Sequence, residues 1–241
     1  MRPFNTPLAE VATQIDLDTS TLVEFRAQSF YEAVKSEYPK IQRLPMVLVA
    51  DPSQLQNLHV AAYRFFTEDN KGVIQLGPRM ITVNALTWEP GYEAYRDATF
   101  GIIEKFRAIN PNELVMSYSI GFYNRIPAAD LAEAQSILRF NLTIDEHTQF
   151  DELSYQSSRS ETIGSVLTQV AVAQPDERMR EKHLMVNNII RRSFMPNPRS
   201  VTDMEQEWRV WFEQAHKLAR DIFWNALTPE AQASWNSTAP A

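Results

Sequence analysis

The sequence predicts an α+β protein built from two packed antiparallel-sheet halves, each a run of strands followed by a helix. Three observations carry this. Segments of alternating apolar and polar residues recur along the chain, as half-buried strands require. Several are joined by connections of only two to five residues, too short to link parallel strands. Two longer segments instead show apolar residues at three- and four-residue steps, the helical repeat.

Residues 11–17 open the series, with Val11, Thr13, Ile15 and Leu17 alternating against Ala12, Gln14 and Asp16. Asp18-Thr19-Ser20 then offers capping side chains for the unpaired amides of a first helical turn. The helix that follows places Val23, Ala27, Phe30 and Val34 on one stripe, and Pro39 stops it. An extended link through Pro45 and Pro52 leads to an antiparallel meander. Its strands run from His59 to Thr67, Val73 to Leu76 and Met80 to Leu86, with turns at Glu68–Gly72 and Gly77-Pro78-Arg79. Pro90-Gly91 opens a second helix carrying Tyr92, Tyr95, Ile102, Ile103 and Phe106, which ends at Asn110-Pro111. The longest alternation follows, with Leu114, Met116, Tyr118, Ile120 and Phe122 on one face, as at the centre of a sheet.

Pro127-Ala128-Ala129-Asp130 marks a change of composition and divides the chain into an N-terminal half, residues 1–127, and a C-terminal half, residues 128–241. The alternative is that the two halves form a single compact domain. In the second half, strands are expected at Leu138–Ile144, Val166–Ala173 and Leu184–Arg191, with the Ser-rich Gln156–Ser160 as a loop. Thr202-Asp203-Met204-Glu205 fits a capping box. Behind it Met204, Trp208, Trp211, Ala215, Leu218 and Ile222 form the strongest amphipathic stripe. Thr228-Pro229-Glu230 caps a short last helix ending near Trp235. The shared order of strands and then helix raises an internal structural duplication, although no repeat of fixed period is visible at residue level.

Composition narrows the function classes. With 241 residues, 44% of them hydrophobic, the chain can build a core without metals or disulfides. Its 6 glycines are too few and too scattered for a dinucleotide fingerprint. The absence of cysteine removes disulfides, thiolate nucleophiles and Cys-ligated zinc, and fits a reducing compartment. A formal net charge of −7 opposes binding to the nucleic-acid backbone. No apolar run is long enough to span a bilayer, and Met1–Asn5 lacks the apolar core of a signal peptide. The expected location is the cytoplasm.

The order of three stretches carries a family resemblance. They are Tyr63-Arg64-Phe65-Phe66-Thr67-Glu68-Asp69, then Val73-Ile74-Gln75-Leu76-Gly77-Pro78, then Ile81-Thr82-Val83-Asn84. Tyr92 and Tyr95, Tyr123-Asn124-Arg125-Ile126, and a late helix with His216 and Phe223 before Leu227-Thr228 follow in turn. Together they resemble a sporadically distributed bacterial protein family of unknown function. The resemblance is strongest from Tyr63 to Ile126. It implies an accessory role of the kind served by defence or toxin-neutralising genes, and it carries no activity.

Motif by motif, no catalytic centre emerges. Gly72–Gly77 has a phosphate-loop spacing but continues with Pro78 and Arg79 and alternates as a strand does. Ser160–Ser165 lacks the strained G-x-S-x-G turn of a serine hydrolase. His59, His147, His183 and His216 are far apart in sequence. Asp145, Glu146, His147, Asp151 and Glu152 could offer oxygen ligands to a divalent cation, but a solvated acidic loop explains them as well. No metal or cofactor is assigned.

The candidate ligand-binding residues are Tyr123, Asn124, Arg125 and His216. Alternation continued from Phe122 puts Asn124 on the apolar register, where its amide must find hydrogen bonds in the strand or from a ligand. Arg125 shares the opposite face with Tyr123 and could hold a carboxylate or phosphate; local pairing before Pro127 is the simpler account. His216 sits one step off its helix stripe, at a packing edge. Trp224, furthest from the stripe's centre, is the candidate protein contact. The reading that follows is a non-catalytic binding or interaction protein, with a protein partner or a second copy of itself at a free sheet edge. The alternatives are a cofactor-independent hydrolase and a sensor of a small anionic ligand.

Overall fold

A computed structural model describes residues 8–19, 22–45, 60–87, 91–128, 133, 136–139, 153–173 and 183–236. Among them the chain is mixed α+β, with a large antiparallel sheet and four helices. No helix among these residues is long and apolar enough to cross a membrane. The chain divides into two compact units, and neither is contiguous in sequence. The larger comprises Glu10–Ile120 and Arg191–Glu213; the smaller comprises Met1–Ala9, Gly121–Ile190 and Gln214–Ala241.

In the larger unit the alternation of residues 11–17 becomes strand β1 (Leu8–Asp18), with Val11, Thr13 and Ile15 buried. The meander is present as β3 (Tyr63–Phe66), β4 (Gly72–Gly77) and β5 (Met80–Ala85). β5 pairs antiparallel with both β4 and β1, placing Ala85 opposite Gly72 and Val11. A four-residue strand expected only as extended link, β2 (Lys40–Arg43), adds to β3. Its residues are mostly exposed, so no apolar alternation marked it. Strand order in this unit is β2-β3-β4-β5-β1-β6, where β6 is Leu114–Pro127. The short β10 (Arg199–Ser200) pairs with the start of β6.

Helices α1 (Val23–Val34) and α2 (Gly91–Ile109) pack on this part of the sheet through aromatic edges. The Phe30 ring meets Phe65 and Phe106 edge-on at 5.9 and 5.8 Å between centroids, an arrangement favoured by the ring quadrupoles. Of the residues expected to cap α1, Ser20 lies outside the described residues. The residue before α1 is Leu22, which makes no side-chain cap, while the Thr19 hydroxyl donates to Glu113 instead. Helix α3 (Glu205–Ala226) contributes Trp208, Trp211 and Phe212 to the larger unit's core, and Tyr118 packs edge-on against Trp211 at 4.4 Å. Before α3 the Thr202 hydroxyl donates to the Pro111 carbonyl, an acceptor outside the expected capping box.

The smaller unit has the order β6-β9-β8-β7, from β7 (Leu153–Glu161), β8 (Gly164–Ala173) and β9 (His183–Ser193). The Ser-rich segment expected to be a loop is strand β7, paired antiparallel with β8 over its whole length. Its residues 154–160 are almost all exposed, so their polarity reflects an open sheet edge instead of irregular backbone. The core here gathers Ile126, Ile137, Val170, Leu184, Val186 and Leu227. In α4 (Pro229–Asn236) the Thr228 side chain caps as expected, accepting the Ala231 N–H at 3.3 Å. Of the strand expected at 138–144, Leu138 forms a single bridge to Leu227, and residues 140–144 lie outside the described residues.

Candidate functional site

The larger unit contains a pocket of about 480 Å³, within the range of small-ligand sites. Three local structures converge on it. The first is the β3–β4 hairpin loop, which supplies Thr67, Asp69, Lys71 and Gly72. In this loop Asn70 takes a left-handed φ of 58°, a conformation that Asn tolerates better than most residues. The second is the end of β5 with Val83, Asn84 and Ala85, continued by Thr87. The third is the early part of α2, where Ala94 and Ala98 are exposed at the rim and Tyr95 is buried. Tyr38, just beyond α1, completes the wall.

The loop side of the pocket is internally tied. Thr67 Oγ1 donates to Asp69 Oδ1 at 2.7 Å and accepts the Gly72 N–H at 2.9 Å. Asp69 Oδ1 also accepts the Lys71 N–H at 3.0 Å. These bonds to its charged form hold the Asp69 carboxyl below its ordinary pKa, so it is ionised at neutral pH. Gly72 matters by its bareness: a Cβ there would stand 2.9 Å from Thr67 Cγ2 and 3.4 Å from the Tyr38 ring.

The inner side is different. Tyr95 is saturated, donating to the Val83 carbonyl at 2.9 Å with the Thr13 hydroxyl 2.7 Å away. Burial raises its phenol pKa and keeps it neutral. Tyr38 is pushed up to about 12, by burial first and by Glu37 second. Asn84 is only 8% exposed; its Nδ2 donates to Glu10 at 2.9 Å, while its Oδ1 is buried with no hydrogen-bond partner. Thr87 Oγ1 is also buried without a partner. A buried polar atom left unpaired costs roughly 1–3 kcal/mol, but neither atom is open to the pocket: both lack accessible surface, and Asn84, in register with Ala12, turns its side chain to the sheet face away from Tyr95.

Among the described residues, three other buried or part-buried polar clusters lie outside this pocket. Asp16, on β1, accepts from Ser117, from Gln14 at 2.6 Å and from Arg191 at 2.8 Å, which accounts for a carboxylate this deeply buried. Glu207 pairs with both Arg192 and Arg199, and both guanidinium groups lie over the Phe194 ring, 5.8 and 5.7 Å from its centroid. Arg26 is buried in α1 and donates to the carbonyls of Gly77 and Pro78, with Nε and Nη1 unpartnered. Burial lowers its pKa, a shift opposed by Glu113.

The residues singled out from the sequence lie elsewhere, in the smaller unit. Asn124 is buried as its register requires, and its amide donates to the Val186 carbonyl at 2.9 Å. Tyr123 and Arg125 are half-buried on the other face. The Tyr123 ring covers Gly121, where a Cβ would lie 2.9 Å from it. His216 packs against Phe122 with 5.7 Å between ring centroids. Trp224 is half-buried against the core cluster that contains Leu227. None of these five lines the pocket. The acidic segment 145–152 falls outside the described residues.

Sequence reasoning did not single out the pocket, nor the two unpartnered atoms on Asn84 and Thr87. The available signal was an amide-bearing residue inside the wholly buried strand Met80–Ala85, a position where hydrogen bonds must be supplied from somewhere. No family model matches the chain, and no curated protein or solved structure matches it.

Proposed function

We propose that this is a non-catalytic binding protein whose ligand is a small molecule held in the pocket between the β3–β4 loop, β5 and α2. The observation that carries the proposal is a ligand-sized space in which the polar side chains Thr67, Asp69 and Lys71 face an apolar and aromatic side of Val83, Ala85 and Tyr95. The titratable groups around it support binding over chemistry. A general acid or base works best with a pKa near the operating pH. Here the Tyr38 and Tyr95 phenols are held neutral and Asp69 is held ionised. The family resemblance adds the setting, a sporadic bacterial accessory system in which such a protein senses or sequesters its ligand.

Ala98→Trp tests this, because the position is exposed on α2 and a large ring there can lie across the mouth without entering the core. Ligand-observed NMR of a fragment library should show a set of binders that the variant loses while its circular dichroism spectrum stays unchanged. A library whose binders are the same for both proteins, or that contains none, removes the proposal.

A further inference from the structure

Resting on the reading of this pocket as a ligand site, we infer that its ligand is a free α-amino acid with an apolar side chain. The ligand's ammonium pairs with Asp69, and its carboxylate accepts from the Tyr38 hydroxyl and the Lys71 ammonium. Tyr38 lines the pocket and is only 6% exposed, and among the described residues its hydroxyl has no hydrogen-bond partner. That oxygen is not sealed off as Asn84 Oδ1 and Thr87 Oγ1 are, so a ligand in the space can reach it. Burial keeps the phenol protonated at neutral pH, which makes it a donor that only solvent or a ligand can satisfy.

The charges on the loop side call for both signs in one molecule. Asp69 and Lys71 line the space from the same hairpin loop, one negative and one positive. A ligand of a single sign is attracted by one of them and repelled by the other, whereas a zwitterion is attracted by both. Asp69 Oδ1 already accepts from the Thr67 hydroxyl and the Lys71 N–H, and a carboxylate has acceptor sites beyond those two. Donor and acceptor ends are close together. A Cβ on Gly72 would stand 3.4 Å from the Tyr38 ring and 2.9 Å from Thr67, whose hydroxyl is 2.7 Å from Asp69. Little more than one side chain thus separates Tyr38 from Asp69, which suits a molecule carrying both charged groups on one carbon. The opposite wall is Val83, Ala85 and Tyr95, with Ala94 and Ala98 at the rim. Tyr95 has its hydroxyl committed to Val83 and Thr13, so this wall offers an apolar side chain a surface to cover and gives a polar one little to bond.

L-Leucine and L-phenylalanine, each beside its amide and its N-acetyl derivative, are titrated at pH 7 into the ¹⁵N-labelled full chain. The amide keeps only the ammonium and the N-acetyl derivative only the carboxylate. At least one free amino acid should move the amide resonances of Lys71, Gly72 and Ala85. It should also bind at least about tenfold more tightly than either derivative, the worth of a hydrogen bond to a charged group. Asp69→Asn retains the oxygen used by Thr67 and the Lys71 N–H, so the loop keeps its bonds. This variant should weaken the free amino acid by about tenfold or more and leave the N-acetyl derivative unweakened. Tyr38→Phe should weaken the free amino acid and the N-acetyl derivative alike, and spare the amide. If a derivative binds as tightly as its parent and Ala98→Trp abolishes that binding, the amino-acid assignment is overturned and the pocket reading stands. Undiminished binding of the free amino acid to both Asp69→Asn and Tyr38→Phe overturns it as well. If none of the six probes moves these resonances, the assignment is likewise overturned, and the fragment screen on Ala98→Trp decides the pocket reading separately.

Discussion

One methyl group added at Gly77 and one at Gly101 should change stability in opposite directions, although the chemical change is the same. Gly77 ends β4, where a Cβ would lie 3.2 Å from the carbonyl carbon of Val60, closer still to its oxygen, and 2.9 Å from Met80 Cγ. Carbon atoms in ordinary contact stand about 3.5–4.0 Å apart. The Met80 side chain can swing away, but Val60 is backbone and adjoins a held segment. Next to it, Ala62 donates to Leu76 and its carbonyl accepts from Leu44, each at 2.8 Å. Overpacking against such a wall costs about 1–3 kcal/mol. For a chain of this length each kcal/mol moves Tm by about 2–4 °C, so Gly77→Ala should lower it by about 2–12 °C. Gly101 lies inside α2 with nothing within 4 Å of its would-be Cβ, and Gly→Ala in an open helix interior gains about 0.5–1 kcal/mol. Urea unfolding followed by circular dichroism, with the two variants beside the wild type, reads both signs at once. A Gly77→Ala midpoint within about 0.5 kcal/mol of wild type, or a destabilised Gly101→Ala, would refute the packing described around these positions.

Thr228→Ala removes the hydroxyl that accepts the Ala231 N–H and donates to the Ser136 carbonyl at 2.8 Å. A loss of about 0.5–2 kcal/mol is expected in the same urea assay, whereas Thr228→Ser should retain most of the stability. Alkaline pH should destabilise the fold through its buried phenols. An unfolded tyrosine titrates near pH 10, while Tyr38 in the folded chain is pushed up to about 12. Its contribution is complete below pH ~10 and is lost as pH rises through the folded value, because the unfolded state releases its proton first. Tyr38→Phe should remove one phenol titrating near pH 12 from the ultraviolet absorbance of the folded protein and flatten the decline in urea midpoint above pH ~10. An unchanged titration curve in that variant would contradict the burial of this ring.

Much of the architecture was legible before any coordinate. Pattern marked β1, β4, β5, β8 and β9 within a few residues: β1 and β9 alternate because one face lies against the core, whereas β4 and β5 are short apolar runs bounded by turn residues, β5 being buried throughout. Helices α2 and α3 declared themselves by apolar stripes. Asn124 shows how far such reasoning reaches. Its buried register was readable, and so was its need for a hydrogen bond, but the acceptor, the Val186 carbonyl, lies 62 residues away. Strands β2 and β7 escaped notice because exposed strands have no apolar face to alternate against.

By itself the sequence determined what depends on neighbours along the chain. It set the antiparallel connections, since a turn of a few residues can only reverse the strand, and the exclusion of thiol chemistry. It also set the Thr228 cap, three residues from the amide it serves. Only the tertiary structure decided the pocket, whose walls come from Tyr38, the loop at 67–72, the end of β5 and the first turns of α2. Local pattern reports whether a side chain is buried. Whether its polar atoms meet a partner there, as Asn124 does and Asn84 Oδ1 does not, depends on which distant segments close around it.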